Sequence, residues 1–439
     1  LGTLLGLLGP VQTFRAPDCG GILTPLGLSY IAEVSKPYVE MALGRDLVAP
    51  AASALLLGSP QPSGHRITSV KAVDLSLSLI PEAGLQLDIE LELGIAALLA
   101  APRLLTLSIQ ADLHVDLGPD GNLQLLAPAC RASVGARSTK EAESKSSSSS
   151  LGREVDINKL CLNISKMLLF PNEQLISLTA LLPVTPSCQL QYVPLAVPVF
   201  SEQGIALSLQ ATFRAGGVAV PVPVSPVPFS MPEAATSSPA HLVLALSEHF
   251  YSSLFFTLER AGAFNITIPS PLSTAALAQQ ITQVGSLYPE DLPVMLRAEL
   301  RSSPRVVLEE DRAALKLFLA VHIGAGSPDF QSFLSMSADV TTGLRLGITD
   351  TRMMISAATI EDAELSLAAS NVGLVPAALL EELFLGTLCT QVPAWMDEVL
   401  RDGIHLPHTS GITYSDVSVA IHKDYVLVPC NLRLRAAPG

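Results

Sequence analysis

Charge and aromatic residues are both scarce in this 439-residue chain, at 15% and 5%. Also missing is any unbroken apolar run of the roughly 18 residues that a spanning helix needs. The longest apolar stretches are interrupted within about ten residues by Ser, Asp, Glu or Gly, so no transmembrane insertion is expected. There is no basic block. Residues 1–220 carry 14 Lys+Arg against 18 Asp+Glu, residues 221–439 carry 12 against 22, and the net charge is −14. Such a chain does not neutralise phosphates, so nucleic acid is not an expected partner. Strong attraction to an anionic membrane surface is not expected either.

Catalytic patterns are absent as well. The chain has no GxSxG elbow, HExxH helix, P-loop or GxGxxG after a strand, and no cofactor pattern, so no enzyme is expected. Gly324-Ala325-Gly326 lacks a third glycine and reads as a hairpin turn. His405 and His408 are close, but Pro407 breaks helical geometry and no third ligand is near, so no metal site is expected. His114 and His322 fall on the polar phase of strands. Glu309-Glu310-Asp311 and Glu361-Asp362 read as solvated turns or strand ends, because a calcium loop needs more oxygen ligands in order. In Ser247-Glu248-His249, neighbouring helical residues point apart, and Ser247 is better explained as an N-cap.

What the chain does have is apolar residues, 49% of the total, and they alternate. Leu85, Leu87, Ile89, Leu91, Leu93 and Ile95 are each separated by one mostly polar residue. So are Leu105, Leu107, Ile109, Ala111, Leu113, Val115 and Leu117, before a tight turn at Pro119-Asp120-Gly121-Asn122. Leu315 to Ile323 and Leu334 to Val340 repeat the pattern. These are long strands with one apolar face, which something apolar must cover: helix, second sheet or ligand.

Four helices are predicted to help. One opens at Thr24-Pro25 with Leu26, Tyr30, Val34 and Met41 as its stripe and a kink at Pro37. A second spans about 155–169 with Ile157, Leu160, Ile164 and Leu168 on one face. A third starts at Ser247 and stops before Gly262, lined by Phe250, Leu254 and Leu258. A fourth runs from Pro376 towards Asp402 and carries Leu379, Leu383, Trp395 and Val399. The order helix, strands, loop, helix, strands occurs twice, in halves of about 220 residues, which reads as a pseudo-repeat of architecture. The expected division is a barrel domain over 1–218, a proline-rich connector over 219–240 and a second barrel domain over 241–439. Pro221, Pro223, Pro226 and Pro228 favour extended backbone in that connector.

Six widely spaced cysteines fit three disulfides and an oxidising compartment. Two glycosylation sequons, at Asn163 and Asn265, agree with secretion. Leu1 to Leu8 resemble either a signal remnant or an apolar mature end. Ser138 to Arg153, with its serine run, is too polar to bury itself and is expected to be an exposed loop.

Several segments resemble the bactericidal/permeability-increasing protein family, which includes the lipopolysaccharide-binding and PLUNC proteins. They are Leu26-Gly-Leu-Ser-Tyr30, Pro226-Val-Pro-Phe229, Leu244 to Phe250, Ala261-Gly-Ala263, Leu379 to Leu383 and Gly403 to Pro407, and their order and spacing cover essentially the whole chain. The resemblance implies an α+β fold: a two-domain boomerang of twisted antiparallel barrels, each closed by long helices and joined by a central sheet. It implies an apolar pocket in each barrel for a phospholipid or fatty acyl ligand, bacterial surface lipids included. One pocket would be lined by Leu26, Tyr30, Val34, Ile164 and Leu168, the other by Phe250, Leu254, Leu258 and Leu383. It implies a Cys130–Cys161 disulfide from a strand to the second helix. Cys389 with Cys430 and Cys19 with Cys188 are the expected remaining pairs. Members that bind lipopolysaccharide resemble each other in a basic tip, whereas Arg66, Lys71 and Arg103 form no cluster here. The expected function is therefore secreted lipid binding in innate antibacterial defence through apolar grooves. The alternative is a structural or protein-binding extracellular protein without lipid.

Overall fold

The computed structural model describes residues 16–48, 65–97, 100–136, 157–221, 227, 229–236, 238–326 and 329–434. The serine-rich segment and Leu1 to Leu8 lie outside the described residues. Three antiparallel sheets organise the rest, their strands numbered in chain order. The first contains β2 (His65–Ile80), β3 (Gly84–Ala97), β4 (Ala100–Leu117) and β5 (Leu123–Ala136), in that order. The second contains β12 (Ile266–Ser273), β13 (Pro293–Glu309), β14 (Arg312–Ala325), β15 (Gln331–Thr349), β16 (Arg352–Ser370) and β17 (Ile404–His405). The alternating runs predicted from sequence lie in β3, β4, β14 and β15, and their apolar residues face inward. Register shifts bend these long strands, for example between Ala72 and Asp74 in β2. In β13 the shift between Ser302 and Arg305 falls at Pro304, which has no N–H for a ladder.

The third sheet draws on both halves. It takes β1 (Cys19–Leu23), β6 (Leu182–Thr185), β7 (Cys188–Pro194), β8 (Val199–Ser201), β9 (Gly204–Ala215) and β10 (Val218–Ala219) from the first. From the second come β11 (Leu242–Ser247), β18 (Ile412–Ser415), β19 (Ala420–His422) and β20 (Tyr425–Leu434). Its main path runs β18-β20-β11-β1-β9-β7-β6. Short β1, which periodicity did not flag, is the join: Gly21 pairs with Leu207 on one side and Leu244 on the other. β11 is apolar at every position from Leu242 to Leu246, so both of its faces need cover. Leu244 and Leu246 face the large core of the second half. Val243 and Ala245 pack with Ile22, Leu427 and Ala235, flanked by Phe229 and Met231. Part of the predicted connector is thus the cover for the second face of this sheet.

The first and third predicted helices start where the sequence places them. Thr24 Oγ1 accepts the Gly27 N–H at 3.2 Å, capping the opening helix Pro25–Val48. Ser247 Oγ accepts the Phe250 N–H at 3.3 Å, capping Glu248–Arg260. Gly262, at φ +75°, supplies the left-handed residue that stops that second-half helix. Gly27 has a packing reason: a Cβ there would stand 2.2 Å from the His241 carbonyl oxygen, so the helix end can seat on the entry to β11. The opening helix runs unbroken through Pro37, and the closing helix Gly386–Val399 contains Pro393.

One buried carboxyl sits at the join. Asp18, 3% exposed, accepts the Ala211 N–H at 2.8 Å through Oδ1, while its backbone bonds Leu209 and Ser247 on the two flanking strands. Burial, opposed in part by the hydrogen bond from Ala211, raises its pKa to about 7. Its titratable neighbours are the buried Cys19 thiol and the Tyr192 hydroxyl. A folded-state pKa above the unfolded value means that the protonated form is favoured on folding. This contribution is complete below about pH 4 and is lost as pH rises through about 7, roughly 4 kcal/mol in all. Asp18→Asn is predicted to remove that slope. Chemical unfolding at pH 4 and pH 8 checks it: the difference in stability shrinks by several kcal/mol in the variant.

Candidate functional site

Each half encloses an apolar interior, and the two interiors differ. In the first half, Leu87, Ile89, Leu91 and Leu93 of β3 and Leu105, Leu107 and Ile109 of β4 face two helical walls. One wall is the opening helix. Its inward stripe is Leu28, Ala32, Val39, Leu43 and Leu47, all buried. The other wall is the helix Ile157–Met167 and its continuation Leu169–Ile176, with Ile164, Met167 and Leu168 inward.

This corrects the stripe expected for the opening helix. Leu26 is 54% exposed and Val34 is half-buried. Tyr30 stacks on His241 with ring centroids 4.8 Å apart, and its hydroxyl accepts the Leu434 N–H at 3.3 Å, so it docks the helix on the central sheet. The helix is apolar on more than one side, and two residue sets fit helical spacing equally well. Periodicity alone could not choose between them. For Ile164 and Leu168, the expected side was the inward one.

The second half has a deeply buried centre. Leu315, Leu317, Val321 and Ile323 of β14 and Met336 and Ala338 of β15 show 0% exposure. Phe250, Leu254 and Leu258 lie in the same cluster, and Phe250 meets the rings of Phe213 and Tyr251 at 5.5 and 5.3 Å. Leu383 packs at the edge of this cluster. The buried stripe of the closing segment is Leu380, Phe384, Leu388, Val392 and Met396, one residue on from the expected one. Steps of four would drift around an α-helix, but the wide π turn Glu381–Leu385 takes more residues per turn and offsets the drift.

The first interior is partly exposed at its edges. Leu87, Leu105 and Met167 retain 6%, 6% and 8% exposure, and inward residues on the edge strands, such as Val70, Leu77 and Leu125, are only half-buried. The two helical walls meet through Tyr38 and Phe170, whose rings lie 4.8 Å apart. Around that contact Met41, Leu162, Leu169 and Phe170 are exposed at 46–62%. An apolar interior, a ring contact across its walls and an apolar rim belong to the first half.

The wall Ile157–Met167 is fixed by the Cys130–Cys161 disulfide, which ties it to β5. Asn172 adds a pair of bonds to Leu125, at 2.7 and 3.0 Å. The other expected pairs do not form, and Cys19, Cys188, Cys389 and Cys430 are free thiols. Cys19 lies opposite Leu209 of β9, whereas Cys188 lies opposite Ala215 of the same strand. Six residues of strand put roughly 20 Å between them, far beyond disulfide reach. Cys430 points its Sγ at the Leu242 carbonyl within the central sheet, while Cys389 sits on the closing helix, which packs on the six-stranded sheet. Burial pushes the Cys430 thiol up to about 12.

Polar candidates have structural uses. Glu248 accepts the Leu308 N–H at 2.9 Å, and His249 contacts Ser253 at 3.0 Å. His405 and His408 stack at 5.4 Å, and burial, aided by Arg352, lowers the His405 pKa to about 4. Among the described residues, no three His, Cys, Asp or Glu side chains group as a metal site would require.

Comparison with known proteins agrees with this geometry. The LBP / BPI / CETP family, C-terminal domain, matches residues 186–434. Protein TENP of Gallus gallus is 71% identical over 437 residues, covering 99% of both chains. The chain belongs to the LBP/BPI/CETP family. BPI fold-containing family B member 2 of Homo sapiens is 27% identical over 98% of both chains. The crystal structure of lipopolysaccharide binding protein superposes with a TM-score of 0.58 at 17% identity, covering 96% of this chain and 100% of that one. That likeness establishes the BPI fold for both halves. Within it, no helix among the described residues is long and apolar enough to cross a membrane.

The disulfide makes a specific prediction for the first-half wall. Replacing Cys130 and Cys161 together with Ser lengthens the unfolded chain's freedom by a 31-residue loop. The expected cost is roughly 4 kcal/mol. Hydrogen exchange checks it: amides of Ile157–Met167 lose protection first, while those of β14 and β15 keep it.

Proposed function

We propose that this protein is secreted and holds a phospholipid or other acyl-chain lipid, bacterial surface lipids among them, in the apolar interior of its first half. The observation that carries the reading is the contrast between the two interiors. The central strands β14 and β15 of the second are the more fully buried, while the first has half-buried apolar edges and an exposed apolar rim at Met41, Leu162, Leu169 and Phe170. Family membership supports it, as does the fold shared with a protein named for binding lipopolysaccharide.

Burying acyl CH₂ groups contributes about 0.8 kcal/mol each. One chain of ordinary length therefore offsets the ordering costs of binding. The net charge of −14 supports an apolar grip over a charge-driven one. The same reading places any antibacterial action in the sequestration of lipid, and it takes the disulfide and the sequons as marks of an oxidising, extracellular setting.

Organic extraction of the native protein, followed by mass spectrometry, is predicted to release acyl lipid in stoichiometric amount. Leu169→Glu combined with Met41→Glu places charge on the rim without touching the core or the Tyr38–Phe170 contact. It is predicted to lower uptake of a fluorescent phospholipid about tenfold while leaving thermal stability unchanged. Native protein free of lipid, with uptake indifferent to the rim variant, favours the protein-binding alternative instead.

A further inference from the structure

The two sequons occupy unlike places. Asn163 lies inside the helix Ile157–Met167, two residues after disulfide-bonded Cys161. Its side chain is half-buried, and the hydroxyl of its sequon, Ser165 Oγ, donates to the Cys161 carbonyl at 3.3 Å. Asn265 lies in the turn between the Glu248–Arg260 helix and β12, where its N–H bonds the Gly262 carbonyl at 3.1 Å. Both Asn265 and Thr267 are exposed.

Asn265 also opens onto a cleft. Glu259, Arg260, Phe264, Glu299 and Leu300 line it with Asn265, around a volume of about 300 Å³. The Glu259 carboxylate lines it in part, and its Oε2 atom is buried with no hydrogen-bond partner among the described residues. A buried carboxylate oxygen without a partner costs free energy unless a donor reaches it. The apolar part of the lining is held rigid, because Phe264 packs edge-on against Trp395 at 5.1 Å.

We infer that Asn265, and not Asn163, carries an N-linked glycan, and that its first N-acetylhexosamine seats in this cleft. The covalent step is ordinary group transfer. Asn265 Nδ2 attacks C1 of an oligosaccharide carried on a lipid diphosphate; the C1–O bond breaks, the C1–N bond forms, the diphosphate leaves and Nδ2 loses one proton. The sugar's acetamido N–H or a hydroxyl then donates to the Glu259 carboxylate, and its C–H face lies against Leu300. This inference rests on secretion, part of the proposed function, because the donor is met only in the secretory pathway.

Peptide-N-glycosidase treatment of the native, extracellular protein in ¹⁸O water marks each occupied site. The expected result is a labelled Asn265 peptide and an unlabelled Asn163 peptide. A bare Asn265 in extracellular protein overturns the inference and leaves secretion standing. A chain found only in the cytosol overturns both. Label at Asn163 overturns the selectivity. Seating is read from release rates: the glycan should come off the folded protein about tenfold more slowly than off the denatured protein. In Glu259→Gln, folded-state release should accelerate towards the denatured rate. Equal rates from folded and denatured wild-type protein overturn the seating without any variant.

Discussion

Strands of fourteen to nineteen residues with one apolar face cannot stand alone in water, and covering those faces organises this molecule. The two long sheets solve the problem differently. In the second half the Glu248–Arg260 helix and the closing helix, with their aromatic and methionine side chains, fill the curl until inward residues lose contact with water. In the first half the inward stripe of the opening helix includes Ala32, and the second wall is a short helix held on by a disulfide. That cover is thinner, and its edges remain apolar and partly wet. Under the proposed function, an acyl chain supplies the missing cover.

The central sheet couples the halves through the same constraint. β11 is apolar on both faces, so it draws the core of the second half to one side and the segment around Phe229, Met231 and Ala235 to the other. β1 then bonds the two halves edge to edge, which forces Asp18 into the interior. The cost of burying that carboxyl is tolerated because its hydrogen-bonding capacity is partly met by Ala211. It also gives the join between the halves a dependence on protonation.

Much of this was legible in the sequence because it is local. Strict alternation identified β3, β4, β14 and β15, and Thr24 and Ser247 marked helix starts by their capping chemistry. The inward faces of the helices were less legible. Leu26-Tyr30-Val34 and Leu28-Ala32-Val39 both fit helical spacing, and only the tertiary seat of Gly27 on His241 decides which turns inward. The closing helix misled for a related reason: its π turn shifts the phase by an amount no fixed period contains. Cysteine pairing failed at long range, because an even count says nothing about the roughly 20 Å of strand between Cys19 and Cys188. β1 was invisible because five residues with two glycines carry no periodicity; its partners give it its place.

The central claim is that lipid occupies the first interior and not the second. A phospholipid with a photoreactive group midway along one acyl chain, bound to the native protein and then cross-linked, tests it by mapping adducts to peptides. The account predicts adducts confined to the opening helix, β2 to β5 and the helices from Ile157 to Ile176. Adducts on Phe250, Leu388 or the strands β14 and β15, or none anywhere, would contradict it.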